Sequence, residues 1–67
     1  MKINRIKEVL IEQGKSQAWL AREVGKSKNT INSFCNNYSQ PNVKLLHTIA
    51  VLLDVDIRQL LHATKEE

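Results

Sequence analysis

The chain has 67 residues, with ten Lys and Arg against seven Asp and Glu (net charge +3), and it is 42% apolar with a single Phe, Trp and Tyr. That length allows one small domain on a mainly aliphatic core, and two Gly with one Pro argue against a turn-rich all-β fold. No apolar run reaches the roughly 18 residues of a membrane span, the N-terminus lacks an export signal's apolar stretch, and a lone cysteine forms no internal disulfide, so a reducing cytoplasm is the expected setting.

Five short helices are expected in one domain over 1–67, with the core at about 4–61 and a frayed tail at 64–67. Asn4 reads as the N-cap of the first helix, whose apolar residues Ile6, Val9 and Leu10 recur at helical spacing. Gly14 suits the left-handed position after it. Ser16 caps the second helix, which buries Leu20, Ala21 and Val24 and ends at Gly25. Ser27 caps the third, which runs to about Asn36. A polar loop of Asn36, Asn37, Tyr38, Ser39 and Gln40 leads to Pro41. Asn42 caps the fourth helix, with Val43, Leu46, Ile49, Ala50 and Leu53 on its inward stripe. Asp56 and Gln59 have the form of a capping box for a final helix containing Leu60 and Leu61.

Charge is uneven along this series. Residues 1–14 sum to +1, residues 15–44 to +4 and residues 45–67 to −2. A basic middle suggests an anionic partner docking there, nucleic acid being the commonest candidate. The second and third helices meet at a joint around Gly25 short enough for a steep, close crossing, with Leu20, Ala21, Gly25, Ile31 and Phe34 as the positions that packing needs. Ile31 and Phe34 then anchor the third helix and leave Lys28, Asn29, Asn32, Ser33 and Asn36 on the outward arc.

Asn and Ser are poorer helix formers than the Glu and Lys of an ordinary wet surface, so their choice here needs a reason. The major groove of B-DNA supplies one. It admits a single helix, Asn pairs with adenine N6 and N7, Lys donates to guanine O6 and N7, and Ser serves either. The arc holds no carboxylate to be repelled by phosphate. The bland alternative is a solvated face.

Residues 6–61 resemble the helix-turn-helix domain of the phage Cro and repressor proteins, the XRE-type family. The stretches "SQAWLAREVGKSKNTIN" and "QPNVKLLHTIAVLLDVDIRQLL" carry the likeness in combination. It implies an all-α, five-helix lambda-repressor-like fold with the helix-turn-helix at the second and third helices. It also implies base reading by Lys28, Asn29, Asn32 and Ser33, and a backbone contact or a supporting role for Gln17. Asn37 and its loop match a segment that meets phosphate. Ser27, Asn36 and the cations Arg22, Lys26 and Lys44 are further candidates for the DNA backbone.

Several positions depart from the family pattern. An Arg and a Glu that often pair between the first helix and the end of the third are here Leu10 and Cys35, so these two are expected to pack together. Asn37 stands where Gly is usual, a tolerable substitute in a left-handed backbone. Lys15 takes a usually apolar position and Trp19 a usually polar one. Trp19 either covers the core or faces phosphate or a partner.

Leu45, Leu52, Val55, Ile57 and Leu61 look like more apolar surface than so small a chain can bury. A homodimer would cover the excess and present two third helices to successive major grooves of an inverted repeat, roughly 34 Å apart. The function expected is that of a small bacterial or phage transcription regulator, a repressor in the first instance, binding double-stranded DNA. The alternative is a protein-interaction module, such as an antitoxin that masks a toxin through the same fold. No enzyme is expected: paired carboxylates, a Ser/His/Asp order and a glycine-rich phosphate loop are all missing. His47 and His62 lack a ligand spacing, so no metal or other cofactor is expected.

Overall fold

The computed structural model of the chain describes residues 2–65. Four α-helices, α1 (Ile6–Glu12), α2 (Gln17–Val24), α3 (Lys28–Cys35) and α4 (Val43–Leu53), precede a 3-10 helix at Ile57–Leu60. The expected fifth α-helix is therefore a single 3-10 turn. Its capping box is present: Asp56 Oδ1 accepts from Arg58 N–H, and the Asp56 N–H donates to Gln59 Oε1 at 2.9 Å. What stops it is Leu61, which turns extended and forms an antiparallel bridge with Asn4. Arg5 N–H donates to the Leu60 carbonyl at 2.8 Å and His62 N–H to the Ile3 carbonyl at 2.9 Å, so the chain ends are tied to each other. Of the tail expected at 64–67, Thr64 and Lys65 are exposed, and Glu66 and Glu67 lie outside the described residues.

The caps follow the short polar residues that the chain places before each helix. Ser16, Ser27 and Asn42 accept through their side chains from the N–H groups of Trp19, Thr30 and Leu45. The first helix differs from expectation. Its N-cap is Arg5, without a side-chain bond, while Asn4 sits one residue earlier and accepts from the Ile6 N–H at 3.1 Å. Gln13 closes the far end of another helix, donating from Nε2 to the Leu53 carbonyl at 2.7 Å. Gly14 and Gly25 hold the left-handed conformations that end α1 and α2, with φ of +67° and +70°.

One core unites all these elements: Ile6, Leu20, Ile31, Ile49 and Leu60 have no exposed surface, and Leu53 has 1%. Full burial of an Ile or Leu stabilises by about 1.5–3 kcal/mol, so Ile31 fixes the pose of α3 as strongly as any contact it makes. Leu10 and Cys35, the pair expected to meet, belong to the same buried cluster at 2% and 3% exposure. Val43 does not belong to it. It is the first residue of α4, one turn outside the core, and 78% exposed.

The apolar set assigned to a second copy also changes meaning. Leu45, Leu52, Val55 and Ile57 are half-buried against this chain's own core, and only Leu61 counts as exposed, at 38%. Leu45 and Leu52 lie on the flanks of α4 itself, and the turn after α4 brings Val55 and Ile57 back against the core, which spacing along the sequence alone does not reveal.

Candidate nucleic-acid interface

Gly25 leaves α2 in a left-handed turn, Lys26 N–H donates to the Ala21 carbonyl at 3.0 Å, and Ser27 starts α3 two residues later. Ala21 is buried where the two helices cross, and Ile31, Phe34 and Cys35 hold the inner side of α3. At about 100° per residue, Lys28, Asn29, Asn32, Ser33 and Asn36 span an outer arc of about 140°. Lys28, Asn29, Asn32 and Asn36 are exposed, and Ser33 is half-buried.

Not all of these side chains are equally available. The Ser33 hydroxyl is 2.7 Å from that of Ser39, which ties the arc to the loop after α3. Asn32 Nδ2 donates to Gln17 Oε1 at 3.1 Å, and Asn36 Nδ2 donates to Asn32 Oδ1 at 3.0 Å, a row of three amides crossing from α2 along α3. Ser27 serves its own helix, accepting from the Thr30 N–H and bonding the Thr30 hydroxyl at 2.9 Å. Lys28 and Asn29 have no side-chain hydrogen bond among the described residues.

Asn37 has a structural part inside the molecule. It adopts a left-handed backbone, φ +59°, as expected of a stand-in for Gly. Its Oδ1 accepts from the N–H groups of Ile3 and Asn4 at 2.8 Å each and from Gln40, and its Nδ2 donates to the Asn4 carbonyl. Its own N–H donates to Phe34. Asn37 is thus a joint between the N-terminal segment and the end of α3, and one of its two Nδ2 hydrogens has no partner among the described residues. Asn4 completes that joint. It is 1% exposed, and its Nδ2 donates to the Phe34 carbonyl and to Gln40 Oε1 at 2.8 Å each. Nothing in the sequence singled out Asn4 for this, since these partners lie 30 and 36 residues away.

Arg22, Lys26, Lys28 and Lys44 form no ion pair among the described residues, whose salt bridges involve Arg5, Arg58 and His62. Lys26 and Lys44 line one groove of about 270 Å³ with Val24, Asn42, Leu45 and Thr48 at the start of α4. Arg22 is exposed in the last turn of α2, around the helix from Gln17. Lys15 lies with its ammonium 4.7 Å from the Trp19 ring centre, and Trp19 is half-buried on the core, so this pair covers the bundle's edge.

Away from this face, the Cys35 thiol is pushed up to about 11, chiefly by burial, with Glu8 adding and Lys7 opposing. Arg58 beside Asp56 holds that carboxyl below its usual value through hydrogen bonds. Among the described residues no three His, Cys, Asp or Glu side chains gather as a metal site requires, and no helix is long and apolar enough to cross a membrane.

A bundle with two short helices crossing at a left-handed turn, the second presenting a polar arc, defines a helix-turn-helix protein. The helix-turn-helix family model matches residues 6–60, and the chain belongs to that family, in its Cro and repressor (XRE-type) branch. It is similar to a crystal structure from Bacteroides fragilis described as that of a candidate DNA-binding protein. The two share 50% identity with a TM-score of 0.89, over 92% of this chain and all of the other. No curated protein matches.

Proposed function

We propose that this chain binds double-stranded DNA sequence-specifically and acts as a small transcription regulator, a repressor that occupies a site without performing chemistry. The observation that carries this reading is the outer arc of α3, polar, free of carboxylates and anchored from behind by Ile31 and Phe34. Family membership and the likeness to a protein described as DNA-binding support it.

In this reading α3 enters the major groove. Lys28 and Asn29 reach base edges freely, Asn32 does so under the hold of its neighbours, and the Ser33 hydroxyl can still accept. Gln17 and Ser27 at the helix starts, with Arg22, Lys26, Asn36, Asn37 and Lys44, face the sugar-phosphate backbone. Cations without carboxylate partners release counterions when they meet phosphate, which gives affinity and makes it salt-dependent. A homodimer on an inverted repeat places two α3 helices in successive grooves, with Leu61 and the half-buried Leu52, Val55 and Ile57 as the meeting surface.

The test is fluorescence anisotropy of the chain with duplexes from its own upstream region and a shuffled control, over several salt concentrations. Tighter binding to the natural duplex by about a thousandfold, with a steep negative salt slope, is expected. Equal weak binding to every duplex removes the sequence-specific reading, and no binding at low salt removes DNA as the partner.

A further inference from the structure

We propose that Lys15 is a further DNA-backbone contact, and that Trp19 is the positioning residue that holds its ammonium ready for phosphate. The proposal rests on the DNA-binding reading above and adds a cation, with the device that presents it, on the flank of the site.

Neither Lys15 nor Trp19 has a part in that reading, and the structure makes them one unit. The Lys15 ammonium stands 4.7 Å from the centre of the Trp19 ring. Trp19 is fixed, packed half-buried against the core with its backbone N–H donating to the Ser16 hydroxyl at 3.0 Å. The main chain of Lys15 is held as well, its N–H donating to the Leu10 carbonyl at 2.9 Å. Its side chain is exposed and forms no ion pair among the described residues. A carboxylate partner would cancel the charge that attracts phosphate. The face of an indole attracts the ammonium and leaves it a full cation.

The unit sits where the DNA backbone passes. Gln17, the first residue of α2, accepts at Oε1 from Asn32 Nδ2 on the outer arc of α3, so the start of α2 lies beside that arc. Lys15 precedes Gln17 by two residues, no more than about 7 Å of chain. Trp19 lies about 200° round α2 from Gln17, which puts the ammonium over its ring on the side of that start away from Asn32. When α3 lies in the major groove, the helix before it crosses the sugar-phosphate backbone. A cation just beyond the start of α2 then meets phosphate beside the bases that α3 reads. Ordering a long Lys chain costs conformational entropy, and the indole orders it before DNA arrives, so less is left to binding.

The experiment enriches duplexes from a randomised library with the full chain. The enriched duplex and a scrambled one are then titrated by fluorescence anisotropy over several salt concentrations. Lys15→Ala should weaken both duplexes alike, by about three- to tenfold, and lower the salt slope by about one. Trp19→Leu keeps an apolar cover on the core but removes the ring face. In that background Lys15→Ala should cost less than about twofold, because an unplaced ammonium contributes little. Trp19→Phe keeps a ring face and should restore the larger effect. A Trp19 that only covers the core gives equal Lys15→Ala effects in all three backgrounds. Thermal melts check that each variant is folded, and Trp19→Met is the second variant if Trp19→Leu is not.

An affinity and salt slope unchanged by Lys15→Ala overturn the proposal while leaving DNA recognition standing. A loss confined to the enriched duplex overturns it too, and so does an equal effect of Lys15→Ala with and without the ring. If the parent enriches no sequence, the DNA-binding reading falls, and this proposal with it.

Discussion

Asn4 and Cys35 are the two residues whose surroundings set the sharpest expectations. Asn4 is buried with every polar group engaged, so Asn4→Ala leaves the Phe34 carbonyl without its side-chain partner and opens the first turn of α1. A loss of about 2–3 kcal/mol in urea unfolding is expected, a large share of the stability of so small a domain. The Cys35 thiol, raised from about 9 to about 11 by burial, binds its proton more tightly folded than unfolded. Stability is therefore insensitive to this group below pH 9 and falls between about pH 9 and 11, by on the order of 2 kcal/mol if the whole shift is expressed. Replacing the thiol by Ala should flatten that stretch of the profile, and native Cys35 should resist thiol reagents at pH 7 until unfolded. Cys35→Glu should destabilise more than Cys35→Ala, because it buries a carboxylate in the apolar cluster that holds Leu10, without the Arg that family members use. Equal midpoints in denaturant for the two variants defeat that expectation.

Helices begin and end here for local reasons, and local reasons are what a sequence displays. Ser16, Ser27, Asn42 and Asp56 cap in the structure as their positions suggest, and both glycines take left-handed conformations. Nothing lies within 4 Å of a Cβ placed on Gly25, so Gly25→Ala meets no clash and carries only the backbone penalty. A destabilisation of about 1 kcal/mol is expected, with the fold retained. Ser27→Ala removes the side-chain acceptor at the start of α3 and should likewise cost about 1 kcal/mol by thermal melt. The misread elements have non-local causes. The last helix stops at one 3-10 turn because Leu61 pairs with Asn4, and Val43 is exposed because the core ends a turn short of it. Neither the bridge nor the edge of the core leaves a mark on neighbouring residues in the chain.

For the molecule as a whole, the basic middle and the acidic end share one core, and Lys26 and Lys44 meet at one groove. Lys28→Ala and Asn32→Ala should each cost about 1–3 kcal/mol at the preferred duplex while sparing random DNA. If both weaken specific and random duplexes by one factor, the base-reading assignment is wrong. Sedimentation with an inverted-repeat duplex should give two chains per duplex, and a single chain at every concentration removes the dimer. The half-buried state of Leu45, Leu52, Val55 and Ile57 lessens the apolar excess behind that expectation, so assembly should depend more on DNA than on protein concentration alone.

The sequence by itself determined the helical class, every helix cap but the first, the turn between α2 and α3 and the polar arc, because periodicity, capping and turn chemistry act over three or four residues. Tertiary structure alone decided how that arc is held. The amide row from Gln17 to Asn36 spans two helices, and the Asn4 and Asn37 joint closes a gap of 33 residues. Hydrogen bonds between groups so far apart in the chain depend on where packing brings them, and packing is a property of the whole core.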